Sequence, residues 1–364
     1  MVIALLGCKE GMKNQKNLQV EYAENIVFEP FSVVLDSLVL DHYERGMSVY
    51  EHESNILIAA YNRHTHAIDW FDIVNQSIYY RTLLNRQGPN EITGQADGLY
   101  VHTFDSIFIN DGVFIYRINK NGIVKQKIQN HFDTKKGTAY LVNRLTSPLH
   151  YCSSRNRIMG EAIIPGNRNI FFLEIDLLTE TVFLHQADIS DCFKKSPVQD
   201  HYLNVSFKGD SIIYNTTCSS DIWVYDMTKK QSTVFDGKSR LSMNIVSEIK
   251  NSDPDAMWKH YIENPRFFQV RYSPSDNLYF RLHWKEIGYH TDPKVPQTPY
   301  DKPVILSVFS DDFELIWESL LPDNQYYVDF LISTSQGVFL NASHPNNKNY
   351  DVNLKDLHLI RFQQ

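Results

Sequence analysis

The sequence predicts an all-β fold: a six-bladed β-propeller of four-stranded antiparallel blades, closed by an N-terminal strand that completes the last blade. Three observations predict it. A short apolar strand recurs six times, as Ile68–Ile73, Phe114–Ile118, Phe171–Asp176, Ile222–Asp226, Val304–Phe309 and Leu357–Phe362. Self-similarity at a period of roughly 45–55 residues is the mark of a repeat architecture such as a propeller. Alternating apolar stretches and tight polar turns fill the intervals. Finally, the last unit is one strand short, while a strand-like stretch stands unused ahead of the first unit.

The elements follow from period-2 alternation and the turn residues between them. Blade one is expected at Met47–Tyr50, Ile56–Ala60, Ile68–Ile73 and Ile78–Leu84. Blade two is expected at Leu99–His102, Ser106–Ile109, Val113–Ile118 and Ile123–Ile128, with Gly112 and Gly122 supplying the positive φ of its turns. Blade three shows Arg157–Ile164, Ile170–Asp176 and Thr181–His185. Blade four shows Leu203–Phe207, Ser211–Asn215, Asp221–Asp226 and Ser232–Phe235, and blade five Phe267–Tyr272, Asn277–His283, Pro303–Phe309 and Phe313–Leu320. Blade six has Tyr327–Ile332, Gly337–Asn341 and Leu357–Phe362. Ser32–Leu40 is the candidate closing strand, paired with Leu357–Phe362 so that neither chain end leaves an open sheet edge. Leu18–Phe28 has no assigned place.

Turns between strands one and two and between three and four share one rim of such a blade, and they are short here. The other connections hold every long segment: Asn85–Gly98, Gln129–Asn156, Gln186–Tyr202, Asp236–Arg266, Trp284–Lys302 and Ala342–Asp356. Long loops in a compact fold are usually functional. The elaborated rim is therefore the expected binding face.

Composition narrows the classes. Of 364 residues 13% are aromatic, with Tyr and Phe at 21 each, which suits pleated half-buried surfaces. The net charge of −8 is spread, with no Lys/Arg-rich run, so nucleic acid is not an expected partner. No apolar run is long enough to span a bilayer. Cys152, Cys192 and Cys218 stand isolated, without zinc or C-x-x-C spacing, and read as small buried hydrophobes or free thiols. At most one disulfide can join two of them.

Met1–Gly7 is an apolar run ending Leu5-Leu6-Gly7 before Cys8, and it resembles a bacterial lipobox. Cys8 would then carry acyl chains as a stable membrane anchor, residues 1–19 would be leader and tether, and 20–364 a single propeller domain. The alternative is a buried first strand with an incidental cysteine.

Gly88-Pro89-Asn90-Glu91, followed by Asp105–Ile109 and Phe114–Gly122, resembles the Gly-x-Gly-Pro-x-Glu segment and following blade of TolB-like six-bladed propeller lipoproteins of gut Gram-negative bacteria. Arg86-Gln87 stand where that family commonly has a glycine-containing pair. The resemblance implies a domain of unknown function in a cell-envelope lipoprotein, and no catalytic residue.

Candidate chemistry is sparse. His64-Thr65-His66 places two imidazoles on one side of an extended segment, a partial metal site without a third ligand, or a solvated loop. Trp258 and Tyr261 share a face of a short helix around Asp253–Tyr261, either packing it down or stacking on a ligand. Trp284 opens a segment whose Pro293, Pro296, Pro299 and Pro303 favour rigid extended backbone. Arg86, Glu91, His150, Arg155, His201 and Arg266 fall in or beside the long loops, and arginines with aromatics are common contacts for sugars, carboxylates or proteins. Asp36-Ser37-Leu38, Asp105-Ser106-Ile107 and Asp210-Ser211-Ile212 fit O-glycosylation sites of such bacteria or, more simply, turn chemistry. No nucleophile elbow, phosphate loop or zincin motif occurs, and no cofactor is expected. The expected function is binding or scaffolding in the cell envelope, with a glycan, peptide or protein recognised on the long-loop rim. A propeller hydrolase or lyase acting on a carbohydrate or lactone is the alternative.

Overall fold

Antiparallel pairing sorts the strands of the chain into six sheets, set as the blades of a six-bladed β-propeller in this computed structural model. It describes residues 26–39, 46–96, 98–142, 144, 146–195, 203–249, 253–290 and 297–362. Strand β1 is Ile26–Val34. Blade one holds β2–β5 (Met47–His52, Asn55–Asn62, Ala67–Asp72, Ser77–Leu83) and blade two β6–β9 (Gly98–Thr103, Ser106–Asn110, Phe114–Ile118, Val124–Gln129). Blade three holds β10–β15 (Phe132–Thr134, Gly137–Leu141, His150–Cys152, Arg157–Ile163, Ile170–Asp176, Val182–Ala187). Blade four holds β16–β19 (Leu203–Lys208, Ser211–Thr216, Ile222–Asp226, Gln231–Phe235) and blade five β20–β23 (Arg266–Ser273, Leu278–Trp284, Val304–Phe309, Leu315–Leu320). Blade six holds β24–β26 (Tyr327–Thr334, Gly337–Asn341, Leu354–Phe362) and is completed by β1.

The recurrent motif that announced the fold is the third strand of every blade. Apolar side chains of neighbouring blades interdigitate in six buried clusters, one per blade interface. Sheet-on-sheet burial, rather than any single blade, is what holds the ring. In the cluster between blades six and one, Val33 from β1 packs with Phe339 and Leu359 of blade six and with Ile58 and Phe71 of blade one.

The closing strand differs in position from the sequence expectation. Residues Ile26–Val34, not Ser32–Leu40, pair with β26, in a register running from Ile26 opposite Phe362 to Val34 opposite Leu354. The alternation of Ser32–Leu40 is broken by Asp36, whose Oδ1 accepts from the Leu38 amide at 2.9 Å while its carbonyl accepts from Val39 at 3.1 Å. An Asx turn supplies a local alternative to the ladder, so the strand ends before it. The Asp-Ser segment at 36–37 is thus turn chemistry.

Blade three corrects a second expectation. Gln129–Asn156 is not one loop. The inner side of β13 is covered by two pieces, β11 at Ala162–Ile163 and β12 at Arg157–Met159, with an excursion through residues 142–149 between them. Pieces this short carry too little alternation to be seen in sequence. The excursion reaches blade four, where the Thr146 carbonyl accepts from the Val205 amide at 2.7 Å.

The long connections that follow β5, β15, β19, β21 and β25 start from one rim. The cysteine expectation fails for two residues. Cys192 and Cys218 form a disulfide with Cα atoms 6.2 Å apart, joining the short helix Asp191–Lys195 to the connection after β17. Cys152 is a free thiol. Spacing could not show this because the two cysteines belong to loops that meet only on the assembled rim.

Candidate functional site

Six innermost strands surround the propeller axis, and each contributes to a cavity of about 180 Å³ within the central channel. Its polar and aromatic lining is Ser48 of β2, Tyr100 of β6, His150 of β12, Phe207 of β16, Gln269 and Arg271 of β20, and Ser333 of β24. Apolar Met47, Val49, Leu99, Leu149 and Leu331 fill the gaps. Three of these strands are bulged: β6 shifts register between Val101 and Thr103, and beside the polar groups of the cavity β20 shifts between Phe267 and Val270 and β24 between Tyr327 and Leu331. A bulge re-aims the residues next to it, and Gln269, Arg271 and Leu331 lie within or just after the latter two.

Each polar group has a distinct state. The His150 ring stacks on Phe207 at 4.6 Å and 13° and meets Tyr100 at 5.5 Å and 63°. Burial, with His102 nearby, holds its pKa down to about 4, so it is a neutral imidazole at pH 7. Burial pushes Tyr100 up to about 12, leaving a hydroxyl donor. Gln269 Nε2 donates to the Val205 carbonyl and, at 3.3 Å, to that of Thr146, tying together three blades. Ser48 Oγ accepts from the Val101 amide at 2.9 Å, and Ser333 Oγ donates to the Tyr272 carbonyl.

Arg271 is the exception to this satisfaction. Its Nε is sealed from solvent and has no acceptor, and burial pulls the guanidinium down to about 10. Among the described residues it makes no hydrogen bond or ion pair, and no carboxylate lines the cavity. An Nε taken from water without an acceptor, on a half-buried side chain, is a cost that folding alone gives no reason to keep. The cavity offers one positive charge, a phenol donor, an amide and an aromatic wall. That suits recognition of an anion better than proton transfer between paired acids.

On the long-loop rim the structure gathers four of the residues expected to bind. Trp258 and Tyr261 stack at 6.3 Å and 11° on the helix Pro254–Glu263. Tyr261 meets Trp284 edge-on at 6.1 Å, and the Arg266 guanidinium lies 4.8 Å from the Tyr261 ring. Trp258 donates from Nε1 to the Gln297 carbonyl at 3.1 Å, and Trp284 is 5% exposed. Lys302 Nζ, also buried, donates to the carbonyls of Tyr261 at 2.9 Å and of Asn264, capping the helix end. The group packs the long loops onto blade five.

The remaining expected residues do not join it. Arg86 and Glu91 are exposed on the connection between blades one and two. His150 lines the channel instead of the rim. Arg155 sits in the β12–β13 turn on the opposite, short-turn side, paired with Asp210 at 2.6 Å and Glu174 at 3.7 Å. Both were misplaced because β12 was hidden inside an apparent loop. His201 and Cys8 lie outside the described residues. Gln269, Arg271, Tyr100 and Phe207 went unread. The available signal was a charge at an inward position of the innermost strand Arg266–Ser273, which only the blade order identifies as innermost.

His64-Thr65-His66 is neither a metal site nor a solvated loop at His66. That side chain is 3% exposed, with Nδ1 2.9 Å from Tyr61 Oη and Nε2 2.7 Å from the Ile92 carbonyl. Both ring nitrogens are taken. No cluster of three metal-ligating side chains occurs among the described residues.

Residues 24–320 match the family described as Domain of unknown function (DUF4221). A DUF4221 member from Bacteroides vulgatus has a crystal structure similar to this one, with a TM-score of 0.76 at 19% identity, over 93% of this chain and 98% of that one. A protein from Lactobacillus plantarum resembles it more distantly, with a TM-score of 0.42 at 11% identity over 88% of this chain and 90% of that one. No curated protein matches the chain.

Two outcomes follow from these environments. Burial lowers the His66 pKa below its ordinary 6.5, as it does for His102, His150, His283, His344 and His358. The folded state therefore holds fewer protons than the unfolded chain, so stability is full above about pH 6.5 and falls as pH drops toward the folded values. Urea midpoints measured from pH 7.5 to 5 should decline, with a shallower decline in His66→Gln; equal slopes would refute the role of His66. Arg271→Met removes an uncompensated charge and no hydrogen bond or ion pair among the described residues. It should raise unfolding free energy by about 1 kcal/mol or more, and a loss of stability would show that Arg271 has a structural partner.

Proposed function

The chain belongs to the DUF4221 family, and on that premise we propose that it is a binding module of the cell envelope that captures a small ligand in its central channel. One observation carries this reading: a guanidinium with no partner among the described residues, beside a cavity to which all six blades contribute. Small-molecule sites are concave, mostly apolar and furnished with a few placed polar groups, and the channel has that make-up. The packed aromatic rim acts as scaffold around it, and the exposed side of Trp258, at 43%, is its most open aromatic surface. The hydrolase or lyase alternative is the weaker reading, because the described lining offers no pair of carboxylates.

The envelope address rests on two supports. Disulfides persist in oxidising compartments, and Cys192–Cys218 is one. The Leu5-Leu6-Gly7-Cys8 segment supplies the lipobox-like anchor, in keeping with the likeness of Gly88-Pro89-Asn90-Glu91 to TolB-like propeller lipoproteins.

Binding is tested by filling the cavity. A small-molecule panel should contain compounds that raise the thermal midpoint of the native chain but not of Val49→Phe, which places a ring in the channel. A panel of sugars, organic acids and short peptides that shifts neither would refute capture in the channel. For the anchor, expression in a Gram-negative host should put the native chain in the membrane fraction labelled by fatty acid, and Cys8→Ser in the soluble fraction without label. Unchanged membrane retention of Cys8→Ser would overturn lipidation at that residue.

A further inference from the structure

One buried and two half-buried arginines show what this chain does when a guanidinium is structural. Arg281 donates to the Ser220 and Gly237 carbonyls, each at 2.6 Å, between the rings of Phe267 and Phe309. Arg157 pairs with Glu174 at 3.0 Å. Arg81 reaches Asp36 at 3.2 Å and also pairs with Asp69. Arg271 has no such arrangement. What separates it from Arg117, which likewise has no partner, is the cavity at its side.

We propose that the channel is a carboxylate site, in which the Arg271 guanidinium pairs with the acid group of a monosaccharide-sized ligand whose ring lies against Tyr100, His150 and Phe207. This rests on the reading that the channel captures a small molecule, and it names the class. Charge count selects a monoanion. Among the described residues one guanidinium faces the cavity and no carboxylate opposes it, and the imidazole of His150 is neutral. A phosphate monoester, with close to two charges at neutral pH, would leave one of them uncompensated. Geometry selects the carboxylate, since the planar guanidinium fork matches it with two parallel hydrogen bonds. Size selects a small ligand, because about 180 Å³ is below the roughly 300–1,000 Å³ of drug-sized pockets. Hydroxyl groups on that ligand would meet the Tyr100 hydroxyl, which is kept protonated, and the Gln269 Oε1, which has no donor among the described residues. The face of the Phe207–His150 stack gives a flat wall of the kind that accepts the apolar side of a sugar ring.

The test is calorimetric titration at pH 7 of the native chain, Arg271→Met, Arg271→Lys and Val49→Phe. The probes are D-galacturonate, D-glucuronate, benzoate, D-galactose and inorganic sulfate. At least one carboxylate should bind the native chain ten times more tightly than galactose and sulfate. Its affinity should fall at least tenfold in Arg271→Met, recover in part in Arg271→Lys and vanish in Val49→Phe. Binding of the acids unchanged by Arg271→Met would overturn the proposal. Galactose or sulfate bound in preference to every acid, and lost in Val49→Phe, would overturn the carboxylate assignment while leaving the channel a binding site. Silence from all five probes in the native chain, with Arg271→Met no less stable, would remove the assignment and the channel reading together.

Discussion

Closure of the ring by β1 on β26 is the constraint on which the rest of this structure depends. Nine residue pairs join strands from opposite ends of the chain, and Ser32 Oγ reaches Asp356 Oδ1 at 2.6 Å across them. Without that ladder, β26 would present a bare edge, an invitation to pair with another chain. The cluster between blades six and one would lose Val33 and with it a shared wall. More follows from closure than stability. Only a closed ring sets six innermost strands around one axis, and only then do Tyr100, His150, Phe207, Gln269 and Arg271 face a common space. Because the contact spans almost the whole chain, its loop-closure entropy must be overcome before the reward is collected.

The channel is held in shape by polar ties between blades rather than by blade interiors. On the short-turn side Arg155 pairs with Asp210, Lys208 with Asp311, and Glu51 accepts from the Ser335 amide at 2.7 Å. Deeper in, Gln269 ties blade five to blades three and four. Each polar or aromatic side chain lining the cavity except Arg271 has either a hydrogen bond that orients it or a ring contact that fixes it. Rigid surroundings with one unspent charge are the arrangement that favours preorganised recognition over structural bracing.

The elaborated rim has a different economy. Its aromatic residues face one another, with Arg266 and Lys302 laid against the Tyr261 ring. Burial, then the nearby positive charge of Arg266, draws the Lys302 ammonium down to about 7, yet it holds two helix-end carbonyls in place. The long loops are therefore packed pieces of the domain. They frame the channel, and Trp284, at the end of β21, packs in the core between blades five and six.

Architecture was legible in the chain because strand alternation and turn residues are local. Asn119-Lys120-Asn121-Gly122 announces a turn, and Gly122 indeed takes a φ of +76° where a Cβ would collide with the Leu83 carbonyl. The six recurrent third strands, the single-rim long loops and the need for an N-terminal closing strand all follow from such signals. What the chain alone did not reveal depends on distant partners. Asp36 decided the end of β1 through an Asx turn, Cys192 found Cys218 across the rim, and two fragments shared one strand position in blade three. Arg271 carries no local signal in the sequence. It lines the channel because it follows a bulge in β20 and faces an axis that five other blades complete, where none of the described residues answers its charge.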